Sequence, residues 1–313
     1  MIITRLTGGL ANQMFQYAAG LALAERRRTV LKLDVSWFRE DPAYEAHNRY
    51  ALDCFNVNAQ FATAAEIDAV RGVMLTRTER WSVPLARALH FYQYAGRRAS
   101  RGHVCYDETF SYRADFFDQP DGTYLHGNWQ SERFFSSVAN LLRLHFSFRY
   151  PPQPRVEAMA ARIRDGRSAF VHFRRGDYVR NPRFNRQNGV LPLDYYRRAV
   201  QRLRTRHPDV TLYVFSDDID AVEREFQPGG EVVFVRATEP WHSFDKIRLM
   251  SACDHGIISN STFAWWAAWL NPAADKLVIA PDPWFAGGPN DGRDVVPAAW
   301  HRLSAGLQPT ASS

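Results

Sequence analysis

Apolar positions along the chain are periodic near the N-terminus and again in the C-terminal half, and irregular between. Ile2 to Leu6 is a short apolar run that predicts a strand, and Thr7 to Ala11 predicts a glycine turn. Asn12 to Arg28 predicts a helix, because Met14, Phe15, Ala18, Leu21 and Ala22 recur at three-to-four spacing. Val30 to Leu33 predicts a second strand, so the chain opens as an α/β unit. From residue 42 to 150 the pattern dissolves into scattered aromatics, an Arg-rich patch at Arg97 to Arg101, and short strands near Cys105 and Tyr124. The role of that stretch is not legible in its pattern.

Pro151-Pro152-Gln153-Pro154 interrupts any regular backbone and predicts a boundary between two domains, 1–150 and 151–313. Beyond it strands are expected at Ala169 to Phe173, Val210 to Phe215, Glu231 to Val235, Gly256 to Ile258 and Leu277 to Ala280. Helices are expected at Val156 to Arg164, Asp194 to Arg206, Ile219 to Phe226, Ser243 to Ser251 and Thr262 to Leu270. This alternation predicts an α/β domain with a mostly parallel sheet and helices on both faces. In such a sheet, ligands bind beyond the C-terminal ends of the strands. The short tail Pro309 to Ser313 is expected to be disordered.

Composition narrows the function classes. With 46% hydrophobic and 23% charged residues the chain reads as an ordinary globular protein. A net charge of +6 spread over short Arg clusters favours a small anion over nucleic acid, since no long basic tract or DNA-binding pattern occurs. Cys54, Cys105 and Cys253 are widely spaced, which argues against a disulfide framework or a structural zinc site. Neither a signal-peptide pattern nor an apolar run of about 18 residues is present, so a cytoplasmic protein is expected.

Four segments carry candidate chemistry. His172-Phe173-Arg174-Arg175-Gly176-Asp177-Tyr178 follows a predicted strand, and its two arginines beside a glycine form a candidate anion cradle. Asp254-His255-Gly256-Ile257-Ile258-Ser259-Asn260-Ser261-Thr262-Phe263 leads from a strand into an apolar helix. Ser261 or Thr262 could cap that helix, and its first amides could hold phosphate. Gly8-Gly9-Leu10-Ala11-Asn12-Gln13 is a tight turn that differs from the GxGxxG dinucleotide fingerprint. Ser216-Asp217-Asp218-Ile219-Asp220 contains an Asp-x-Asp form suited to a metal on a diphosphate, and equally suited to capping the next helix.

Together, Gly8-Gly9-Leu10-Ala11-Asn12-Gln13-Met14-Phe15-Gln16-Tyr17, His172 to Tyr178, Phe215-Ser216-Asp217-Asp218 and Ile258 to Trp266 resemble the bacterial-type α-1,2-fucosyltransferases of glycosyltransferase family 11, in order and spacing. The resemblance implies a GT-B-like α/β fold, two Rossmann-like domains facing a central cleft, with the acceptor on the N-terminal side and GDP-fucose on the C-terminal side. It implies an inverting transfer of L-fucose from GDP-β-L-fucose to the 2-hydroxyl of a terminal β-galactoside, with no metal and no other cofactor. Arg174 is then expected on the β-phosphate, and Asp177 is the candidate base. The donor-binding set is Asn12, His172, Arg175, Asp254, Ser261, Thr262 and Phe263, with Asp254 reading guanine.

Expected partners are the donor and an oligosaccharide or glycolipid acceptor, with peripheral membrane association through a lipid-linked acceptor and no nucleic acid. The alternatives are a metal-dependent glycosyltransferase using Asp218 and Asp220, or a non-catalytic module that binds a nucleotide or glycan.

Overall fold

A computed structural model describes residues 1–40, 49–72, 103–107, 109–176, 188–236, 241–287 and 290–307. The chain divides into two compact units, Met1–Ser147 and Phe148–Ser313. The division falls just ahead of the proline cluster that was read as the boundary at 150/151. The Arg97 to Arg101 patch, Asp177 and the tail Pro309 to Ser313 lie outside the described residues.

The first unit is a four-stranded parallel sheet in the order β2-β1-β4-β3, formed by β1 (Ile2–Arg5), β2 (Leu31–Asp34), β3 (His103–Tyr106) and β4 (Thr123–His126). Helix α1 (Leu10–Arg27) packs on it with an almost wholly buried surface. Gly20 makes that contact close: a Cβ there would lie 2.8 Å from Leu31 Cδ1. The helix ends at Arg28 in the left-handed conformation, behind Arg26 and Arg27 in its last turn, which favours its dipole. Helix α2 (Ala64–Arg71) starts with a capping box, Thr63 and Glu66 each bonding the other's backbone amide. Thr63-x-x-Glu66 is legible in the sequence, whereas the helix lacks a long apolar stripe to announce it. Helix α3 (Ala139–His145) lies near the end of this unit.

The second unit holds β5 (Ser168–Phe173), β6 (Thr211–Ser216), β7 (Val232–Phe234), β8 (His255–Ile257), β9 (Val278–Asp282) and β10 (His301–Ser304). All pair in parallel, in the order β10-β9-β8-β5-β6-β7. Renumbered within the unit this is 6-5-4-1-2-3, the doubly wound Rossmann order, with its topological switch between β5 and β8. Every residue of β5 is buried, as a central strand covered on both faces requires.

Helices α4 (Pro154–Arg164), α5 (Leu193–Arg206), α6 (Ile219–Glu225), α7 (Ser243–Ser251) and α8 (Thr262–Leu270) connect the strands. Pro154 sits at the first helical position of α4, where its missing N–H costs nothing. On α5, Tyr195, Tyr196, Ala199, Val200 and Leu203 face a core that includes Phe173, Val214 and Phe226. Phe173 and Tyr196 stack with ring centroids 3.7 Å apart. The α/β class and the parallel sheets agree with the reading from sequence.

β10 was not foreseen. Its residues alternate between half-buried and exposed on the sheet edge, so the run carries no apolar signature.

Candidate functional site

Three loops leave the C-terminal ends of adjacent strands in the second unit. After β5 come Arg174, Arg175 and Gly176; after β6, Asp217 and Asp218; after β8, Ile258 to Ser261, which run into α8. β5 lies between β6 and β8, so these loops open where the chain order reverses.

Asp217 organises the arginine loop. Its Oδ1 accepts the Arg175 backbone N–H at 2.9 Å, and its Oδ2 pairs with an Arg174 guanidinium nitrogen at 3.0 Å. A Cβ on residue 176 would come within 2.8 Å of the same Oδ2, so the close approach requires Gly176. Burial, the largest single influence, raises the Asp217 carboxyl. The amides of Arg175 and Gly176, with the Arg174 charge, outweigh it and hold the group below the ordinary carboxylate range. Arg175 turns its guanidinium to Glu225 on α6, 2.7 Å away, which anchors the loop from its other side.

His172, on β5, is buried and shares a 2.8 Å hydrogen bond between Nδ1 and the Ser259 hydroxyl, across the switch point. Burial, with the nearby charges of Arg174 and Lys246, pushes its imidazole down to about 3 against the pull of Asp217. The ring is therefore neutral at neutral pH, and 6.1 Å separates its centroid from that of Phe263.

Ser261 occupies the N-cap of α8, but its hydroxyl makes no capping bond to the helix. Trp265, Trp266 and Trp269 bury the helix, and Trp265 Nε1 donates to the Val295 carbonyl at 2.7 Å, so the mount of this loop is rigid. Asn260 is structural: its amide donates to the carbonyls of Asn188, Gly189 and Trp284. Thr262 and Phe263 form the half-buried start of the helix at the same edge.

Asp254 does not join this group, contrary to the role carried over to it from sequence. It immediately precedes β8, and its Oδ2 accepts the backbone N–H of Ser168, the first residue of β5, at 2.9 Å. In a parallel sheet both positions mark the N-terminal edge. Five steps along the strand lead from Ser168 to Phe173, so Asp254 lies on the order of 16 Å from the loop chemistry.

The Asp218-x-Asp220 pair is committed elsewhere. Asp218 caps α6, accepting the Ala221 N–H at 3.3 Å, and Asp220 pairs with Arg236 at 3.0 Å. Among the described residues no group of three or more His, Cys, Asp or Glu side chains is placed to hold a metal ion.

Asn12 belongs to the first unit, in the first turn of α1, where its Oδ1 accepts a 3.3 Å bond from Gln130. Gly8 is needed beside it, both for its φ of +70° and because a Cβ would lie 2.7 Å from the Asn12 side-chain nitrogen. Two buried glutamines hold this turn. Gln13 bonds the backbones of Gly8, Arg49 and Ala51, and Gln16 bonds Thr7 twice and the Gly127 carbonyl. Sequence reasoning placed both on the helix without seeing this use, because interior glutamines carry no local signal. Lys246 on α7 was likewise missed, although a cation in the first turns of a helix runs against its dipole.

A family model for glycosyl transferase family 11 matches residues 103–291. The O-antigen biosynthesis glycosyltransferase WbnK of Escherichia coli is 30% identical over 95% of this chain and 99% of its own length. An α-1,2-colitosyltransferase, also of Escherichia coli, is 30% identical over 97% of this chain and 99% of its own. The galactoside α-(1,2)-fucosyltransferase 1 of Saimiri boliviensis boliviensis is 28% identical over 47% of this chain and 42% of its own. No helix among the described residues is long and apolar enough to cross a membrane.

Proposed function

The chain belongs to glycosyl transferase family 11, and from that premise we propose that it is an inverting α-1,2-fucosyltransferase. It takes L-fucose from GDP-β-L-fucose and delivers it to the 2-hydroxyl of a terminal β-galactoside. The observation that carries this reading is the Arg174–Asp217 pair at the carboxyl ends of β5 and β6, beside the topological switch. A preorganised guanidinium there can meet a diphosphate with two parallel hydrogen bonds.

In the proposed reaction the acceptor oxygen attacks the fucosyl C1 from the face opposite the nucleotide. The bond from C1 to the β-phosphate oxygen breaks, and its electron pair leaves with GDP. The acceptor proton passes to a base, for which Asp177 is our candidate. Negative charge grows on the leaving diphosphate, so the main demand is electrostatic. Arg174 meets that charge, assisted by the first amides of α8. Neutral His172 can hydrogen-bond an oxygen without adding charge, and Ser261, Thr262 and Phe263 line the same edge. The second unit holds the donor and the first unit serves the acceptor, with Asn12 kept in the donor-binding set. No metal is required in this scheme, and the enzyme acts in the cytoplasm on a free or lipid-linked glycan.

The relative that bears the name α-1,2-colitosyltransferase favours one second reading, a GDP-sugar lacking fucose's 3-hydroxyl. The test uses purified protein with EDTA, a panel of galactosides, and GDP-fucose or GDP-colitose in separate reactions, read by mass spectrometry and NMR. A 2-linked fucosyl galactoside supports the proposal. Transfer from GDP-colitose alone moves the donor and keeps the linkage, and transfer only with added metal refutes the metal-free scheme.

A further inference from the structure

The donor edge holds a second cation with little to bind it. Lys246 lies in the first turns of α7, a helix that follows β7 and so begins at the same edge of the sheet as Arg174. Its side chain is partly buried, and its ammonium reaches the carbonyl of Ser216, the last residue of β6, in a long 3.4 Å contact. An ammonium has three donors, and burying one without partners costs free energy unless something compensates. The carboxylate whose charge acts on it, Asp217, already receives Arg174 and the Arg175 amide.

The surroundings agree with a cation awaiting an anion. Burial lowers the Lys246 ammonium first, the Arg174 charge lowers it further, and Asp217 pulls the other way. Three formal charges thus sit together, two positive and one negative, beside a neutral His172. Helix preference would place an acid at such a position, not a lysine. Nearby Asp245 is buried and satisfies the helix start, accepting the His242 backbone N–H at 3.0 Å.

We propose that Lys246 is a second diphosphate-binding cation, which acts with Arg174 on the leaving nucleotide. This rests on the donor reading above and adds to it a residue that none of the four sequence segments contains. Lys246 and Arg174 divide the work: Arg174 supplies planar, paired hydrogen bonds, and Lys246 supplies a point charge on a flexible stem. The added negative charge that forms on the diphosphate as the sugar departs is shared between them.

The experiment is calorimetric titration of the full chain with GDP, guanosine and UDP, in EDTA, for the native protein, Lys246→Met and Lys246→Arg. Methionine keeps the stem and removes the charge. Lys246→Met is expected to weaken GDP binding about tenfold or more, the loss of one charge-assisted bond, and to leave guanosine binding unchanged. Lys246→Arg is expected to recover most of the GDP affinity. If Lys246→Met binds GDP as the native chain does, or loses GDP and guanosine equally, the inference is overturned and the donor reading stands. If UDP binds in place of GDP and depends on Lys246, the inference stands and the guanine donor falls. Failure of the native chain to bind any of these diphosphates overturns both.

Discussion

The carboxyl edges of the two parallel sheets solve different problems with the same architecture. In the first unit several polar groups at that edge hold the frame together. The Tyr124 hydroxyl donates to Asp34 at 2.5 Å, Asp107 accepts the Trp129 amide at 2.6 Å, and Gln13 and Gln16 tie the glycine turn to distant backbone. In the second unit the corresponding edge gathers Arg174 and Lys246 around one carboxylate, so positive charge exceeds negative. At the first edge Arg5 and Arg71 also surround one carboxylate, Asp34, and the hydrogen bonds there fix the turns; at the second, the two cations meet on the loops that open from the topological switch, where an anion can bind. Side chains at strand ends are therefore not equivalent, and hydrogen-bond accounting separates frame from site.

The sharpest way to break this contrast is to remove the second edge's arginine. Arg174→Ala should lower transfer by roughly 10²- to 10³-fold, the cost of one preorganised donor to developing charge. Its melting temperature should stay near native, because the side chain is partly exposed; steady-state rates with thermal melts measure both. Near-native turnover would sink the assignment of Arg174.

The complementary cut belongs in the first unit. Gln16→Leu leaves the Thr7 amide, the Thr7 hydroxyl and the Gly127 carbonyl without their partner, and should destabilise the protein by about 2 kcal/mol. Denaturant unfolding would detect this, while GDP affinity should hold.

A subtler change tests how Arg174 is aimed. Asp217→Asn keeps the shape and discards the charge, and should reduce kcat/KM by about tenfold, less than Arg174→Ala does. A larger loss than for Arg174→Ala would give Asp217 a direct part in the chemistry.

Acid should act on both units. Native His172 resists protonation down to about 3, and burial holds His126 down to about 4. Below pH of about 6.5 the unfolded chain binds protons that these native imidazoles refuse, so stability is complete above that pH and falls as pH drops toward the native values. His172→Gln should flatten the slope of melting temperature against pH in that window.

The smallest effect is expected at Asp254. Asp254→Asn should leave GDP affinity within about twofold and cost about 1 kcal/mol of stability through its bonds to Ser168. A large loss of GDP affinity would return Asp254 to the site and contradict its position at the opposite edge.

The second unit was legible because its order is local. The apolar runs of β5 and β6, the amphipathic α5 and the glycine-bounded turns each announce themselves within a few residues. The arginine loop and the Ser259 to Phe263 loop were legible for the same reason: they follow strands.

Asp254 misled because it lies close in sequence to Ser259, yet β8 carries the chain across the sheet between them. Lys246 and the buried glutamines act through contacts 30 or more residues away, and such contacts leave no periodic mark. α2 could have been found from Thr63 and Glu66, whereas the exposed edge strand β10 offered nothing to read.

In the proposed function the second unit's charged edge binds a guanosine-diphosphate sugar and transfers its sugar to a galactoside. The most direct measurement is product analysis by mass spectrometry and NMR for native and Arg174→Ala protein, with GDP-fucose, a β-galactoside and EDTA. A 2-linked fucosyl galactoside is expected from the native chain and almost none from the variant. Equal product from both, or transfer only with added metal, would contradict it.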